Sequence, residues 1–323
     1  MTTENNDQVT PQQPIHSGFG AQSTAREVLE GQDLGGKIAI VTGGYSGVGL
    51  ETTRALAEAG ATVIVPARTP EKARVSVAGI PRVELAELDL IDPASIDAFA
   101  KQFLDSGRPL DILINNAGIM APPYVLDKRG YESQFATNHL GHFQLTLRLW
   151  PALKQAGSAR VVSVSSTGVR FGGVNFDDIH FKQQEYDKWK AYGQSKSANA
   201  LFAVALDKRG KAHGVRAFSV HPGRIMTDLV RFMSDEEKVA ANGVFKTAEQ
   251  GAATSVWCAT SKQLNGKGGV YCLDVDIAEV VPANAPQGLS QRIEGVFPWA
   301  IDPDLAERLW QVSEEMTHIK FMA

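Results

Sequence analysis

Between Lys37 and Ala59 the chain passes from a short apolar run, Lys37-Ile38-Ala39-Ile40-Val41, through Thr42-Gly43-Gly44-Tyr45-Ser46-Gly47-Val48-Gly49, into a helical stretch. No other segment restricts the possible folds so strongly. A strand that feeds a glycine turn and then a helix aims backbone N–H groups and the positive helix end at one point, which suits a phosphate. Gly43 permits the tight turn, Gly47 lets a pyrophosphate approach, and Gly49 lets helix and strand pack closely. The spacing is G-x-x-x-G-x-G rather than the commoner G-x-G-x-x-G. Its setting between strand and helix supports dinucleotide binding.

The same alternation continues. Ala61–Val65 reads as a second strand ending at Pro66-Ala67-Arg68, and Val83–Leu90 as a third closing on Asp89-Leu90. Asp92 and Pro93 open a helix whose apolar face is Ile96, Phe99, Ala100 and Phe103. Asp111–Ile114 is a fourth strand with Asn115-Asn116-Ala117-Gly118 at its carboxyl end; Arg160–Ser166, Val215–Val220 and Gly269–Leu273 supply three more. Strand alternating with helix implies an α/β, Rossmann-type, doubly wound parallel sheet of about seven strands with helices on both faces. We expect one domain: a partly disordered tail over 1–34, a dinucleotide-binding catalytic unit over 35–275, and an extension over 276–323 packed on it. Within the tail, 22–34 is expected to hold a short helix.

At the end of the second strand an acidic residue would hold the 2′-hydroxyl of NAD. Arg68 stands there instead, and a guanidinium matches a phosphate in fork geometry, so NADP(H) is favoured over NAD(H). Charge excludes other partners. The net charge of -4 carries no basic stripe, so nucleic acid is not expected. No apolar run is long enough to span a bilayer, and the N-terminus lacks a signal pattern. Two cysteines, Cys258 and Cys272, are too few for a disulfide framework. The expected location is the cytoplasm. His139, His142 and His221 lack a carboxylate or cysteine at ligand spacing, so no metal is expected. Asp274 and Asp276 read as a solvated strand edge.

Tyr192 and Lys196 lie four apart, on neighbouring turns of one helix face. An ammonium at about 4 Å in a medium of dielectric about 20 is worth about 4 kcal/mol, enough to lower a phenol pKa by about three units. The spacing therefore predicts that Lys196 activates Tyr192 for proton transfer.

With Thr42-Gly-x-x-x-Gly-x-Gly49, Asn115-Asn-Ala-Gly118 and Tyr192-x-x-x-Lys196 in that order, the chain resembles the short-chain dehydrogenase/reductase family. Arg68, the glycine turn and Val174–Asp178 look most like its retinol-dehydrogenase-like, NADP-dependent branch. The resemblance implies a catalytic set of Asn138, Ser166, Tyr192 and Lys196, with Ser166 hydrogen-bonding the substrate oxygen and Ser165 the weaker candidate. It implies that Lys196 also binds the nicotinamide ribose and that Asn138 holds a water linking Lys196 to solvent. By the same likeness Pro222-Gly223, Ile225 and Thr227 hold the carboxamide. The remaining cofactor-facing candidates are Gly43, Ser46, Gly47, Val48 and Gly49; Asp89 and Leu90; and Asn116, Ala117 and Gly118.

The implied activity is hydride transfer between nicotinamide and a carbonyl or a primary or secondary alcohol, with Tyr192 as general acid/base. Apolar residues near the site (Phe171, Phe176, Phe181, Tyr186, Trp189, Leu229, Phe232 and Met233) suggest a lipophilic small molecule. The alternative is a catalytically silent dinucleotide sensor or scaffold. Relatives pair through the two long helices flanking the active site, implying a homodimer or homotetramer, although the extension could block that face.

Overall fold

The computed structural model describes residues 9–240, 245–285 and 294–322. Its centre is a sheet in the order β3-β2-β1-β4-β5-β6-β7-β8. The strands are β1 (Ile38–Val41), β2 (Thr62–Ala67), β3 (Val83–Glu87), β4 (Ile112–Asn115), β5 (Ala159–Val164), β6 (Val215–His221), β7 (Val270–Leu273) and β8 (Asp276–Ile277). The first seven are parallel, as the alternation implied; β8 is an added antiparallel strand paired Cys272↔Ile277. Asp274 and Val275 turn the chain between β7 and β8 with φ of 52° and 64°. A separate parallel pair joins β9 (Glu279–Val280) to β10 (Gly295–Val296).

One face of the sheet carries α1 (Ala25–Val28), α2 (Gly47–Glu58) and, further along the chain, the helix Ala248–Thr260. After α3 (Pro70–Ser76), the other face carries α4 (Pro93–Asp105) and the run from α5 (Ser133–Phe135) through a π turn (Ala136–Leu140) into α6 (Gly141–Arg148). There too lie α7 (Trp150–Gln155) and α8 (Lys188–Gly210). The remaining helices are α9 (Asp235–Ala240), α10 (the Ala248–Thr260 helix) and α11 (Pro303–Thr317). Caps fix the starts: Asp92 accepts from Ala94 N ahead of α4, and Asp187 accepts from Trp189 N and Lys190 N ahead of α8.

Both chain ends depart from the simple extension picture. Residues 1–8 of the expected tail lie outside the described residues, but 9–20 are strapped down. Gln12 Nε2 donates to Tyr271 O and Ala278 O, each at 2.7 Å, and its Oε1 accepts from Tyr271 N at 2.9 Å. Asp276 is no merely solvated edge: its carboxylate accepts from Ile15 N and Ser17 N. Asp274 likewise pairs with Lys246 at 2.5 Å. The Gln12 amide bonds both backbone groups of Tyr271 in β7 and the Ala278 carbonyl just past β8, which is why a polar, proline-containing stretch stays ordered. The short helix expected within 22–34 is α1, with a Thr24/Glu27 capping box.

At the other end α11 lies across α8 and α6. Trp310 stacks on Phe202 with centroids 6.0 Å apart and meets Phe143 edge-on at 5.0 Å. His139 Nε2 is 2.7 Å from Ser313 Oγ. The helical face that the resemblance offered for pairing is thus covered by the chain's own extension. Among the described residues no helix is long and apolar enough to cross a membrane.

Candidate active site

In an open parallel sheet, ligands settle outside the carboxyl strand ends where the strand order reverses. That reversal falls between β1 and β4 here, and a cleft of about 460 Å³ opens there. The glycine turn lines one wall with Gly43, Ser46, Gly47, Val48 and Gly49. An added Cβ at Gly49 would run into the Gly43 carbonyl oxygen and stand 2.5 Å from Asn116 Nδ2, so only glycine lets α2 reach the turn. Gly47 has φ of +51°, and a Cβ there would lie 3.1 Å from Thr227 Cγ2 across the cleft. A bare backbone facing a helix N-terminus is a fitting cradle for a pyrophosphate.

The other cofactor-facing candidates line the same cleft: Arg68 after β2, Asp89 and Leu90 after β3, Asn116, Ala117 and Gly118 after β4, and Pro222, Gly223, Ile225 and Thr227 after β6. Arg68 is exposed at the rim. Asp89 Oδ1 accepts from Ile91 N at 3.2 Å, tying its own loop.

Ser166, Tyr192 and Lys196 meet at the inner end. Ser166 and Tyr192 line the cleft together, and Ser166 Oγ accepts from Gly168 N at 3.0 Å, capping a short 3-10 turn. It therefore fills the strand-end capping role as well as facing the tyrosine. Ser165 also lines the cleft, and its hydroxyl donates to Lys196 O at 2.7 Å.

The electrostatics differ from what the four-residue spacing predicts. Burial raises Tyr192 to about 12, against an opposing effect of the nearby Ser166 hydroxyl. Burial lowers Lys196 to about 8. The reason is orientation: the Lys196 ammonium lies 5.8 Å from the tyrosine ring centroid and donates to Val164 O at 2.9 Å. Spacing along a helix brings two residues onto one face without aiming one charge at the other's oxygen. The phenol is accordingly protonated at neutral pH.

Asn138 sits in the π turn behind Gly118 rather than in the cleft wall. Its Oδ1 accepts from Ile119 N at 2.9 Å, and its Nδ2 donates to Ile119 O at 2.9 Å and to Ser195 Oγ at 3.0 Å. A Cβ on Gly118 would stand 3.2 Å from Asn138 Oδ1 and 3.4 Å from Lys196 Nζ, so the glycine keeps the three groups together.

Of the apolar candidates, Phe171, Trp189, Leu229 and Met233 line the cleft. Phe176 instead lies under the Arg308 guanidinium at 4.4 Å, and Phe181 and Tyr186 pack edge-on at 5.2 Å. Phe232 is exposed. The sequence reading also assigned no supporting role to Asn199, Glu237 or His221. Asn199 Nδ2 donates to Val164 O at 3.1 Å, beside the lysine. Glu237 accepts from Lys188 Nζ and Trp189 Nε1, latching α9 to the start of α8. His221, with its Nδ1 accepting from Thr167 N, is held down to about 3 by burial, with Lys246, Arg170, Arg224 and Lys196 adding to it. No spacing rule marks these residues.

The family model for short chain dehydrogenase matches residues 37–238. A “probable oxidoreductase” of Streptomyces antibioticus is 45% identical over 298 residues, covering 86% of this chain and 97% of its own. Retinol dehydrogenase 11 of Mus musculus is 38% identical over 288 residues, covering 87% of this chain and 86% of its own. A crystal structure of a Mycobacterium Paratuberculosis protein, 35% identical, gives a TM-score of 0.72 over 94% of this chain and 100% of that one. Sequence, sheet order and cleft agree: this chain belongs to the short-chain dehydrogenase/reductase family of oxidoreductases.

Proposed function

We propose that this chain is an NADP(H)-dependent oxidoreductase that interconverts a lipophilic aldehyde or ketone with its alcohol, using Tyr192 as general acid and base. One observation carries this reading: Tyr192, Ser166 and Lys196 converge at the inner end of the cleft whose wall is the glycine turn. The nicotinamide, when bound, supplies or accepts the hydride. Everything else falls to the protein's own groups.

In reduction, negative charge grows on the substrate oxygen, and hydroxyl donors from Ser166 and Tyr192 stabilise it. The buried phenol, held protonated, is the form that gives up a proton at this step. In oxidation the phenolate form would accept the alcohol proton and return to the phenol. Lys196 would hold a ribose hydroxyl of the bound cofactor, and Asn199 shares with it the Val164 carbonyl and would keep that oxygen satisfied. Arg68 at the rim favours the 2′-phosphate of NADP(H). Phe171, Trp189, Leu229 and Met233 supply an apolar wall. The relative named retinol dehydrogenase supports a lipophilic substrate for this chain.

Titrating nicotinamide fluorescence with purified protein tests the cofactor reading. NADPH binding tighter than NADH, and weakened about tenfold or more in Arg68→Ala, is expected, since a charge-assisted contact is worth about 1.5–3 kcal/mol. A panel of decanal, all-trans-retinal, benzaldehyde and pyruvate tests the substrate class. Turnover with pyruvate alone would contradict it. Cofactor binding with no turnover of any carbonyl would favour a silent dinucleotide sensor.

A further inference from the structure

His139 and His142 lie three residues apart but do different things. His139 helps dock α11 through Ser313. His142 points toward the sheet, where its Nε2 is 2.9 Å from Thr42 Oγ1 and its Nδ1 is 2.9 Å from Asn138 O. Those two contacts reach residues on either side of the cleft-lining strip Asn116–Ile119.

The proton inventory fixes the ring. A carbonyl oxygen only accepts, so Nδ1 must carry a hydrogen toward Asn138 O. The neutral ring then has a bare Nε2. Thr42 Oγ1 accepts from Asn116 N at 2.9 Å and from Ala117 N at 3.0 Å, which takes both its lone pairs. Its single proton has two possible acceptors, Ile114 O at 3.3 Å and His142 Nε2 at 2.9 Å. The shorter contact and the bare nitrogen assign it to His142. Burial keeps the ring neutral, holding its pKa down to about 4 against the pull of the Asn138 carbonyl, and the nearby Lys196 charge acts in the same direction as burial.

The strip is thereby clamped at both ends. Thr42 holds the amides of Asn116 and Ala117, and Asn138 holds both backbone groups of Ile119. His142 is bonded to both clamps. We propose that His142 is a positioning residue that ties the dinucleotide-binding turn, through Thr42, to the π turn carrying Asn138, so that the cofactor wall and the proton-transfer end of the cleft keep one register. This rests on the proposed function, because it assigns that site a further supporting residue. A π turn at this point fits, since such turns gather at functional sites.

Two near-isosteric variants separate the arms. His142→Gln retains an acceptor in reach of Thr42 and loses the donor to Asn138 O. His142→Asn retains that donor and cannot reach Thr42. We expect His142→Asn chiefly to raise the NADPH Kd, by about five- to tenfold, the worth of one buried hydrogen bond. His142→Gln is expected chiefly to lower kcat at saturating NADPH, measured with the fastest aldehyde of the panel above. Equal changes in Kd and kcat in both variants, tracking a lower Tm, would reduce His142 to a structural residue and overturn the proposal. So would values within about twofold of the parent in both. Ring ¹⁵N NMR of the unaltered protein gives a test that needs no cofactor: the Nδ1–H neutral tautomer is expected at pH 7. An Nε2–H tautomer or an imidazolium overturns the relay. If the parent binds neither NADPH nor NADH, the proposed function fails while the ring measurement still decides the relay.

Discussion

The Lys196 ammonium donates to the Val164 carbonyl at 2.9 Å, so the lysine of the Tyr192/Lys196 pair is bonded to the end of β5 and not to the tyrosine. Ser165 returns the tie by donating to Lys196 O at 2.7 Å. The strand and helix that meet at the cleft are therefore fastened to each other at Lys196 itself.

A buried charge costs stability, and this one can be removed. Lys196 has a folded pKa of about 8, below its ordinary 10.5, because of burial. Below pH 8 the lysine is charged in both states and the full cost is present. Between pH 8 and 10.5 the unfolded chain holds the proton and the folded chain does not, so the cost fades as pH rises. Lys196→Met should stabilise the protein at pH 7 by about 2 kcal/mol, after allowing for the lost hydrogen bond, while ending turnover. Urea unfolding at pH 7 and pH 10 measures this. A destabilised variant at pH 7 would mean the ammonium is better solvated than its burial implies.

Tyr192→Phe removes the acid and leaves the cleft shape. NADPH Kd should stay near the parent value while kcat falls by about 10²–10⁴-fold. Stopped-flow and steady-state assays on one preparation give both numbers. Turnover equal to the parent would assign proton transfer to another group.

Trp310 anchors α11 at 2% exposure, with the Arg209 guanidinium 4.2 Å from its ring centroid. Trp310→Ala opens a cavity against Phe143 and Phe202 and should cost about 3–5 kcal/mol. A loss below about 1 kcal/mol in urea unfolding would show that α11 adds little to the fold it covers.

Acid should unfold the protein early. His139, His142 and His221 are held at about 3, about 4 and about 3, in each case chiefly by burial, against the ordinary 6.5. From pH 6.5 downward the unfolded chain binds protons that the folded chain refuses, so stability is fully present above 6.5 and drains away toward pH 4. A series of Tm values from pH 7.5 to 4.5 should fall steadily below 6.5. A flat series would count against neutral, buried rings.

Much of the architecture was legible in the sequence because it is written locally. Most of the parallel strands are short apolar runs, and Gly49 of the turn answers to the Gly43 carbonyl six residues before it. Family motifs added Ser166, Tyr192 and Lys196, and these do share one cleft. Other features were hidden because they depend on distant contacts. Gln12 meets Tyr271 across 259 positions, His139 meets Ser313 across 174, and Thr42 meets His142 across 100. No periodicity encodes such pairs.

By itself the sequence determined the alternating α/β order, the glycine turn between strand and helix, and which side chains carry a titratable proton. Only the tertiary structure decided which way each of them points. It turned Lys196 toward Val164, buried Tyr192 in its protonated form, laid the N-terminal segment beside β7 and closed the helical face with α11. The physical reason is that a pKa and a hydrogen bond depend on burial and direction in space, and chain spacing specifies neither.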